Sequence, residues 1–501
     1  MTADSNRVAR VLAIVALLVF AWLALRHVHE SVFLEDQTDQ LQNFESLVGG
    51  DPYALLGPTM SDTRPTAHAL GPLGAIVFGI PVALGFAIDG IHVVTSMLIA
   101  GATAFAFVVL LRIDAPFAWL WFWMFAATGL VWWNVGLLWV NTLLLPAGLL
   151  LLGLAASCLS RPRALKIALL MLTALFALQV HLAAIVATPV VVILAVVSAR
   201  EALQRPLSRR ASAAVAVLSI VALGPYLLAE ARTGLQNSRA IVAHLRHTSD
   251  TQPLAVDTAR RTLLIAIDPT GMLASAGLPP VAILSVGAGL AAIVAVALSR
   301  RARRRATDPE AAAATCVMLW LAVSAIAAVI AQALFFLLMR RPLAGYHYVT
   351  LLAPFYSIVP AAFLREVLAR PLQHRRAVPV VACACVTFLV WTGPSHADRA
   401  MAPAMWSYRN IVSAVNDLCD GGAADVAEGP GFAAVLNPRY DGVLQYLMKR
   451  HFADCRYEPG SAVLIAASRD AHYEDSYVRG DRRYRRDTVR YPGIALYRRV
   501  R

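Results

Sequence analysis

Glu30-Ser31-Val32-Phe33-Leu34-Glu35-Asp36-Gln37-Thr38-Asp39-Gln40 opens a hydrophilic stretch that runs to Gly71-Pro72 and separates two apolar runs. Ahead of it, a basic head from Met1 to Arg10 leads into the apolar Val11 to Leu25; behind it, Gly71 to Phe86 is apolar again. Between Val28 and His68 stand seven carboxylates (Glu30, Glu35, Asp36, Asp39, Glu45, Asp51, Asp62) against a single Arg64, in a chain of net charge +13. A basic chain has set an acidic loop directly beside apolar segments.

Composition gives the setting of that loop. The 501 residues are 58% hydrophobic and 15% charged, with a mean hydropathy of +0.62. Apolar runs of roughly 18 residues recur, as a hydrocarbon core of about 30 Å requires. The chain therefore reads as an all-α polytopic membrane protein of roughly 12–13 transmembrane helices, with the lipid bilayer as its surroundings. Lys166 and Lys449 are the only lysines. The arginine and alanine bias points to a GC-rich bacterial genome rather than to a nucleic-acid partner, and the chain is expected in the inner membrane. The clusters Arg300 to Arg305 and Arg370 to Arg376 lie between apolar runs, as cytoplasmic loops should. No small-residue cleavage site follows Val11 to Leu25, so an uncleaved first span with its N-terminus inside is expected.

Further spans are expected at Ile91 to Leu111, twice within Pro116 to Ala156, and within Ile167 to Ser198, which splits around Gln179-Val180-His181. Others follow at Ala213 to Leu228, Val281 to Leu298, Cys316 to Met339, Tyr348 to Phe363 and Val378 to Val390. Strict alternation puts Arg161 to Lys166 outside, against the positive-inside trend. One segment between Gly71 and Ala156 must re-enter, or one pair is miscounted.

The acidic loop then faces outward. Leu34, Leu41, Phe44 and Val48 fall near helical spacing, which predicts an amphipathic interfacial helix with Asp36 and Asp39 on one polar face near its N-terminal end. The chain divides into a membrane domain, 1–393, whose first outer loop (about 28–70) carries the candidate site, and a hydrophilic 394–501. This tail reads as a small extracytoplasmic α/β domain: a helix at Gly442 to Arg450, a strand at Ala462 to Ala467 and an edge strand at Gly493 to Tyr497. Cys419 and Cys455 are its only cysteines; an extracytoplasmic setting makes a disulfide between them plausible.

Carboxylates beside a membrane need a reason. Glu35, Asp36 and Asp39 either cap a solvated interfacial helix or supply a general base or divalent-metal ligand at the mouth of a membrane cavity. His68 precedes the Gly71-Pro72 return, and His181 interrupts an apolar run; each is either a polar contact in the fold or a substrate ligand. Arg340 and Arg341, followed by His347, fall on the outer side, where arginines suit phosphate or pyrophosphate. The segment Arg232 to Arg261 carries Arg239, Arg246, His247 and Arg260, a second phosphate clamp or a solvated connection. No Walker A, HExxH, paired CxxC or GxSxG motif occurs, which argues against familiar ATPases, zinc proteases and serine hydrolases.

Glu35-Asp36-Gln37, Leu56-Gly57-Pro58, His68-Ala69-Leu70-Gly71-Pro72-Leu73, Trp133-Asn134, Gln179-Val180-His181-Leu182 and Tyr346-His347-Tyr348 together resemble the GT-C superfamily of integral-membrane glycosyltransferases. Within it they are most similar to bacterial relatives of protein O-mannosyltransferases and the lipid A aminoarabinose transferase. The resemblance implies inverting transfer from a polyprenyl-phosphate sugar to an extracytoplasmic lipid, polysaccharide or protein acceptor. By position, Asp36 becomes the base or the ligand of a divalent Mg or Mn ion, with Glu35 beside it; the family more often shows Asp-Glu where this chain has Glu-Asp-Gln. Arg64, Arg340 and Arg341 become candidates to stabilise the leaving phosphate. The rival readings are a transporter or flippase of lipid-linked sugars, an O-antigen polymerase or ligase using the Arg232 to Arg261 segment, and a non-catalytic envelope-assembly protein.

Overall fold

The computed structural model describes residues 3–26, 33, 35–57, 68, 70–135, 138–181, 184–198, 209–247, 309–339, 350–368, 377–401, 408–420, 425–429, 441–451, 455–459, 461–467, 474–479, 481–491 and 494–500, with isolated positions from 260 to 294. The chain is a polytopic helical membrane protein with a small C-terminal sheet domain. Among the described residues, four helices are long and apolar enough to cross a membrane: Gly90–Ile113, Val140–Ser160, Ser212–Arg232 and Ala313–Phe335. Shorter apolar helices run Arg10–Leu25, Leu73–Ala83, Ala115–Ala126, Ala164–Val180, Ala184–Val197 and Val378–Trp391. The expected span at Val281 to Leu298 lies almost entirely outside the described residues.

The first helix, α1 (Ala3–Leu25), is joined by α2 (Glu35–Val48), α3 (Leu73–Ala83), α4 (Gly90–Ile113), α5 (Ala115–Ala126) and α6 (Gly129–Val135). Next come α7 (Leu144–Ser160), α8 (Ala164–Val180), α9 (Ala184–Ser198), α10 (Arg209–Arg232), α11 (Gln236–His247) and α12 (Pro309–Met339). The membrane part closes with α13 (Ala353–Tyr356), α14 (Ile358–Val367) and α15 (Ala377–Met401).

Apolar composition on all sides puts α7 at the centre, packed by α4, α8, α9 and α12. α1 lies between α4 and α15, and its end is tied down where His92 Nε2 (3.1 Å) and Ser96 Oγ (3.2 Å) meet the Ala24 carbonyl. Asp114 caps α5 by accepting from the Phe117 amide at 2.9 Å, and Arg365 of α14 grips the same carboxylate through Nε and Nη2. That ion pair is buried, so losing one partner would strand a charge.

Several expected spans are not single helices long enough to cross, and two show why. α3 has 11 residues and rises about 16 Å, half a hydrocarbon core, before the chain turns at Leu84 to Asp89 into α4. Tyr348 to Phe363 breaks into a 3-10 turn at Thr350–Leu352, then α13 and α14, with Pro354 at the start of α13. The split around Gln179 to His181 is present as the α8–α9 break, with His181 closing α8 through its amide on the Ala177 carbonyl (3.1 Å).

The C-terminal domain follows as α16 (Tyr408–Asp420), β1 (Asp425–Glu428), α17 (Val443–His451), β2 (Arg456–Tyr457), β3 (Val463–Ala467), β4 (Ser476–Arg479), β5 (Arg482–Tyr491) and β6 (Ile494–Arg499). They form one six-stranded sheet, order β2-β1-β3-β6-β5-β4, parallel around β1 and antiparallel beyond β3. The Gly493 to Tyr497 strand is therefore interior, between β3 and β5, where its buried Ile494, Ala495, Leu496 and Tyr497 belong. Cys419 at the end of α16 and Cys455 before β2 form a disulfide.

Candidate active site

The expected helix in the acidic loop is present as α2, but its polar side is not solvated. Gln37, Thr38, Asp39, Gln40, Gln42 and Asn43 are all buried; Asp39 is 1% exposed, while Val48 at the far end is 71% exposed. Six polar side chains in two turns are thus taken out of water, each neutral one costing about 1–3 kcal/mol unless compensated and the Asp39 carboxylate more. Glu35 and Asp36 occupy the first turn of α2, at the end where the helix dipole favours negative charge; their side chains lie outside the described residues. Asp39 follows Asp36 by three positions, one turn along the same face.

Three parts of the chain hold this loop. On the membrane side α2 packs on α3, where Phe44 seats on Gly79: a Cβ there would come within 2.2 Å of the Phe44 ring. On the C-terminal side Gln42 makes a paired contact with the backbone of one residue. Its Nε2 donates to the Asp441 carbonyl (2.9 Å), and its Oε1 accepts from the Asp441 amide (2.7 Å). Tyr446 of α17 donates to Glu45 at 2.9 Å, and Phe33 meets the Tyr408 ring edge-to-face at 5.8 Å.

The third support comes from α10 and α11. Asn237 accepts from the His68 amide (2.7 Å) and donates to the His68 carbonyl (3.3 Å), holding both backbone polar groups of that residue. His68 Nδ1 also lies 2.9 Å from the Gly57 carbonyl. Behind Asn237, Glu230 is buried at 2% exposure and accepts from Tyr226 (2.5 Å) and Ser238 (2.7 Å). Leu56, Tyr226 and Ala229 form an apolar cluster beneath, which seats the 3-10 turn Pro52–Leu56 on α10. Gly234 and Leu235, both with positive φ, make the turn that brings α11 back onto the loop.

The Gly71-Pro72 return is where two separate sequence motifs meet. Gly71 has φ +140°, and a Cβ there would lie 2.3 Å from Gln179 Oε1. Gln179 is buried, accepts from the Leu73 amide (3.4 Å) and donates to the Ala222 carbonyl. Gln179 is therefore a polar tie between α3, α8 and α10, and His181 sits two residues beyond it, half-buried at the α8–α9 break. Asn134 plays a similar part, taking the Thr350 hydroxyl at 3.0 Å.

No protein-family model matches the chain, and no curated protein matches it. Among solved structures it is similar to a mycobacterial arabinofuranosyltransferase. That cryo-EM structure, of AftD, is 14% identical with a TM-score of 0.35, over 98% of this chain and 40% of that one. This chain thus spans about two-fifths of that protein's length.

Of the site residues expected from sequence, Asp39, His68 and His181 are described with their side chains, and Glu35 and Asp36 by backbone alone. Arg64, Arg340, Arg341 and His347 lie outside the described residues. Among the described residues no group of three or more His, Cys, Asp and Glu is gathered as a metal site. Sequence reasoning missed Gln42, Asn237 and Glu230. Glu230 carried a signal, a carboxylate just past the apolar run Ala213 to Leu228. Gln42 and Asn237 carried none, because their partners are 399 and 169 residues away.

Proposed function

We propose that this protein is a glycosyltransferase of the GT-C type in the bacterial cytoplasmic membrane. It would move a sugar from a polyprenyl-phosphate donor to a lipid, polysaccharide or protein acceptor of the envelope, with inversion. The observation that supports this reading most is the burial of the polar face of α2, clamped from three directions. A carboxylate serves as a base only when it is held within reach of one proton, and a buried, braced helix is such a holder. The Cys419–Cys455 disulfide supports an extracytoplasmic setting for the C-terminal domain.

In the proposed step an acceptor hydroxyl attacks the anomeric carbon as the bond to the phosphate oxygen breaks. Asp36 takes the hydroxyl proton, Glu35 and Asp39 set the field around it, and polyprenyl phosphate leaves. Arg64, Arg340 and Arg341 are assigned to the phosphate, and His68, His181 and His347 to the polar end of the donor. Asp36 with Asp39 is also the pair that would hold a divalent Mg or Mn ion, which would supply charge stabilisation of the leaving phosphate.

The docking of α11 on His68 favours one second reading, an O-antigen-type polymerase or ligase, because α11 belongs to the arginine-bearing segment on which that reading depends. The test is transfer of radiolabel from polyprenyl-phosphate sugars in membranes with and without the protein. Label moving singly onto an acceptor supports the transferase; lipid-linked oligomers joined or moved en bloc favour the second reading. Passage of sugar lipids across the bilayer without transfer overturns both.

A further inference from the structure

The positive charge of the C-terminal domain is segregated, independently of the transferase reading. From residue 479 to the end the sequence holds nine arginines against Asp481 and Asp487, whereas 394–478 is acid-rich. The register resolves where they lie. On β5, Arg483, Arg485 and Asp487 point to one face and are exposed, while Tyr484 between them is fully buried on the other. Arg498 of β6 is directly opposite Arg485 on the same face, and Ser476 and Val478 of β4 continue it. Further in on this face Ile494, Leu496 and Ile465 join the apolar core that includes Ile411, Ala414 and Val415 of α16. The arginine strip is thus the open continuation of a face that α16 covers elsewhere.

Charge bookkeeping leaves a surplus. Arg486 is paired with Asp475 (2.6 Å), Arg498 with Asp487 (2.6 Å), and Arg482 reaches Asp481 at 4.0 Å. The exposed Arg483 and Arg485 make no side-chain ion pair or hydrogen bond among the described residues, while Arg499, directly opposite Tyr484, lies on the other face. Along a strand, residues two apart are about 7 Å apart, so guanidinium groups at 483 and 485 present a regular row. Planar guanidinium groups grip phosphate and carboxylate bidentately. β4, β5 and β6 contain no Trp, and Tyr484 and Tyr497 are buried in the sheet rather than presented to a lipid headgroup layer.

We infer that the β4–β5–β6 edge is a docking strip for a linear polyanion, a chain of repeating phosphate or carboxylate groups such as an anionic envelope polymer.

The experiment uses the full chain in neutral phosphatidylcholine nanodiscs, with fluorescently tagged linear polyphosphate as probe and anisotropy read across a salt series. The variant Arg483→Ser/Arg485→Ser is compared with Arg301→Ser/Arg303→Ser, which removes equal charge from a different segment. Both are first checked for unchanged gel-filtration profile. The docking variant should bind polyphosphate at least tenfold more weakly at moderate salt. Its log-affinity against log-salt slope should be shallower by about 1.4, from roughly 0.7 per neutralised anion on a single-stranded polyanion. The control should bind as wild type. Equal loss in both variants means bulk charge and overturns the proposal. Binding to phosphatidylglycerol vesicles but not to polyphosphate overturns it in favour of a membrane-facing strip.

Discussion

Replacing Gly71 by alanine tests how the loop is returned to the membrane. At φ +140° a Cβ is strained by about 1–3 kcal/mol. It would also lie 2.3 Å from Gln179 Oε1 and 2.6 Å from Cδ, so Gln179 must swing away. Gln179 is 1% exposed and ties the Leu73 amide to the Ala222 carbonyl; moving it strands buried polar groups at about another 1–3 kcal/mol. The sum, about 2–6 kcal/mol, is a large share of the 5–15 kcal/mol typical of a folded protein. The assay is a double-mutant cycle of Gly71→Ala and Gln179→Ala, read by heating purified protein and measuring the monodisperse fraction. In the Gln179→Ala background Gly71→Ala should cost only its backbone part, giving a coupling of about 1–3 kcal/mol. Zero coupling, or a cost below about 1 kcal/mol in wild type, refutes the contact as the reason for glycine.

Three further substitutions probe the supports of α2. Asn237→Ala should release the His68 backbone at about 1–3 kcal/mol and raise amide exchange at 68 and along 52–57, while leaving exchange in the C-terminal sheet unchanged. Gln42→Ala with Tyr446→Phe removes three hydrogen bonds at about 0.5–1.5 kcal/mol each, and should unmask Gln37 to Asn43 to exchange without melting the membrane helices. Cys419→Ser/Cys455→Ser opens a 36-residue loop; the chain-entropy estimate is a loss of about 4 kcal/mol. Protease should then cut the C-terminal domain preferentially, and wild type should acquire the same pattern under dithiothreitol.

What the sequence discloses follows the range of the forces involved. Apolar runs and their breaks are local, so α1, α4, α7 and the α8–α9 break could be read directly, as could α2 from Leu41 and Phe44. Hydropathy counts length without seeing where a helix stops. It therefore took Gly71 to Phe86 for a span, although Pro81 and the turn at Leu84 end α3 after 11 residues. Strand order is non-local: nothing in Ile494 to Tyr497 says that β5 will cover its outer side. For the candidate site, the spacing of Asp36 and Asp39 was legible and the burial of their helix was not. The partners that hold the helix, Asp441 and Tyr446 far along the chain and α3 beneath, leave no local signal. Amphipathic spacing alone placed the polar face toward water; in the structure Gln37 to Gln40, Gln42 and Asn43 are buried, with Gln42 held on the Asp441 backbone.

The account rests on Asp36 as the base in sugar transfer. The measurement is the initial rate of label transfer from polyprenyl-phosphate sugar to acceptor by wild type, Asp36→Asn and Asp39→Asn, at matched protein level, with EDTA and with added Mg or Mn. Asparagine keeps the shape and removes the charge. The account predicts a fall of about 100-fold or more for Asp36→Asn, the contribution of a positioned general base, and a smaller fall for Asp39→Asn. Equal rates for all three proteins would contradict it.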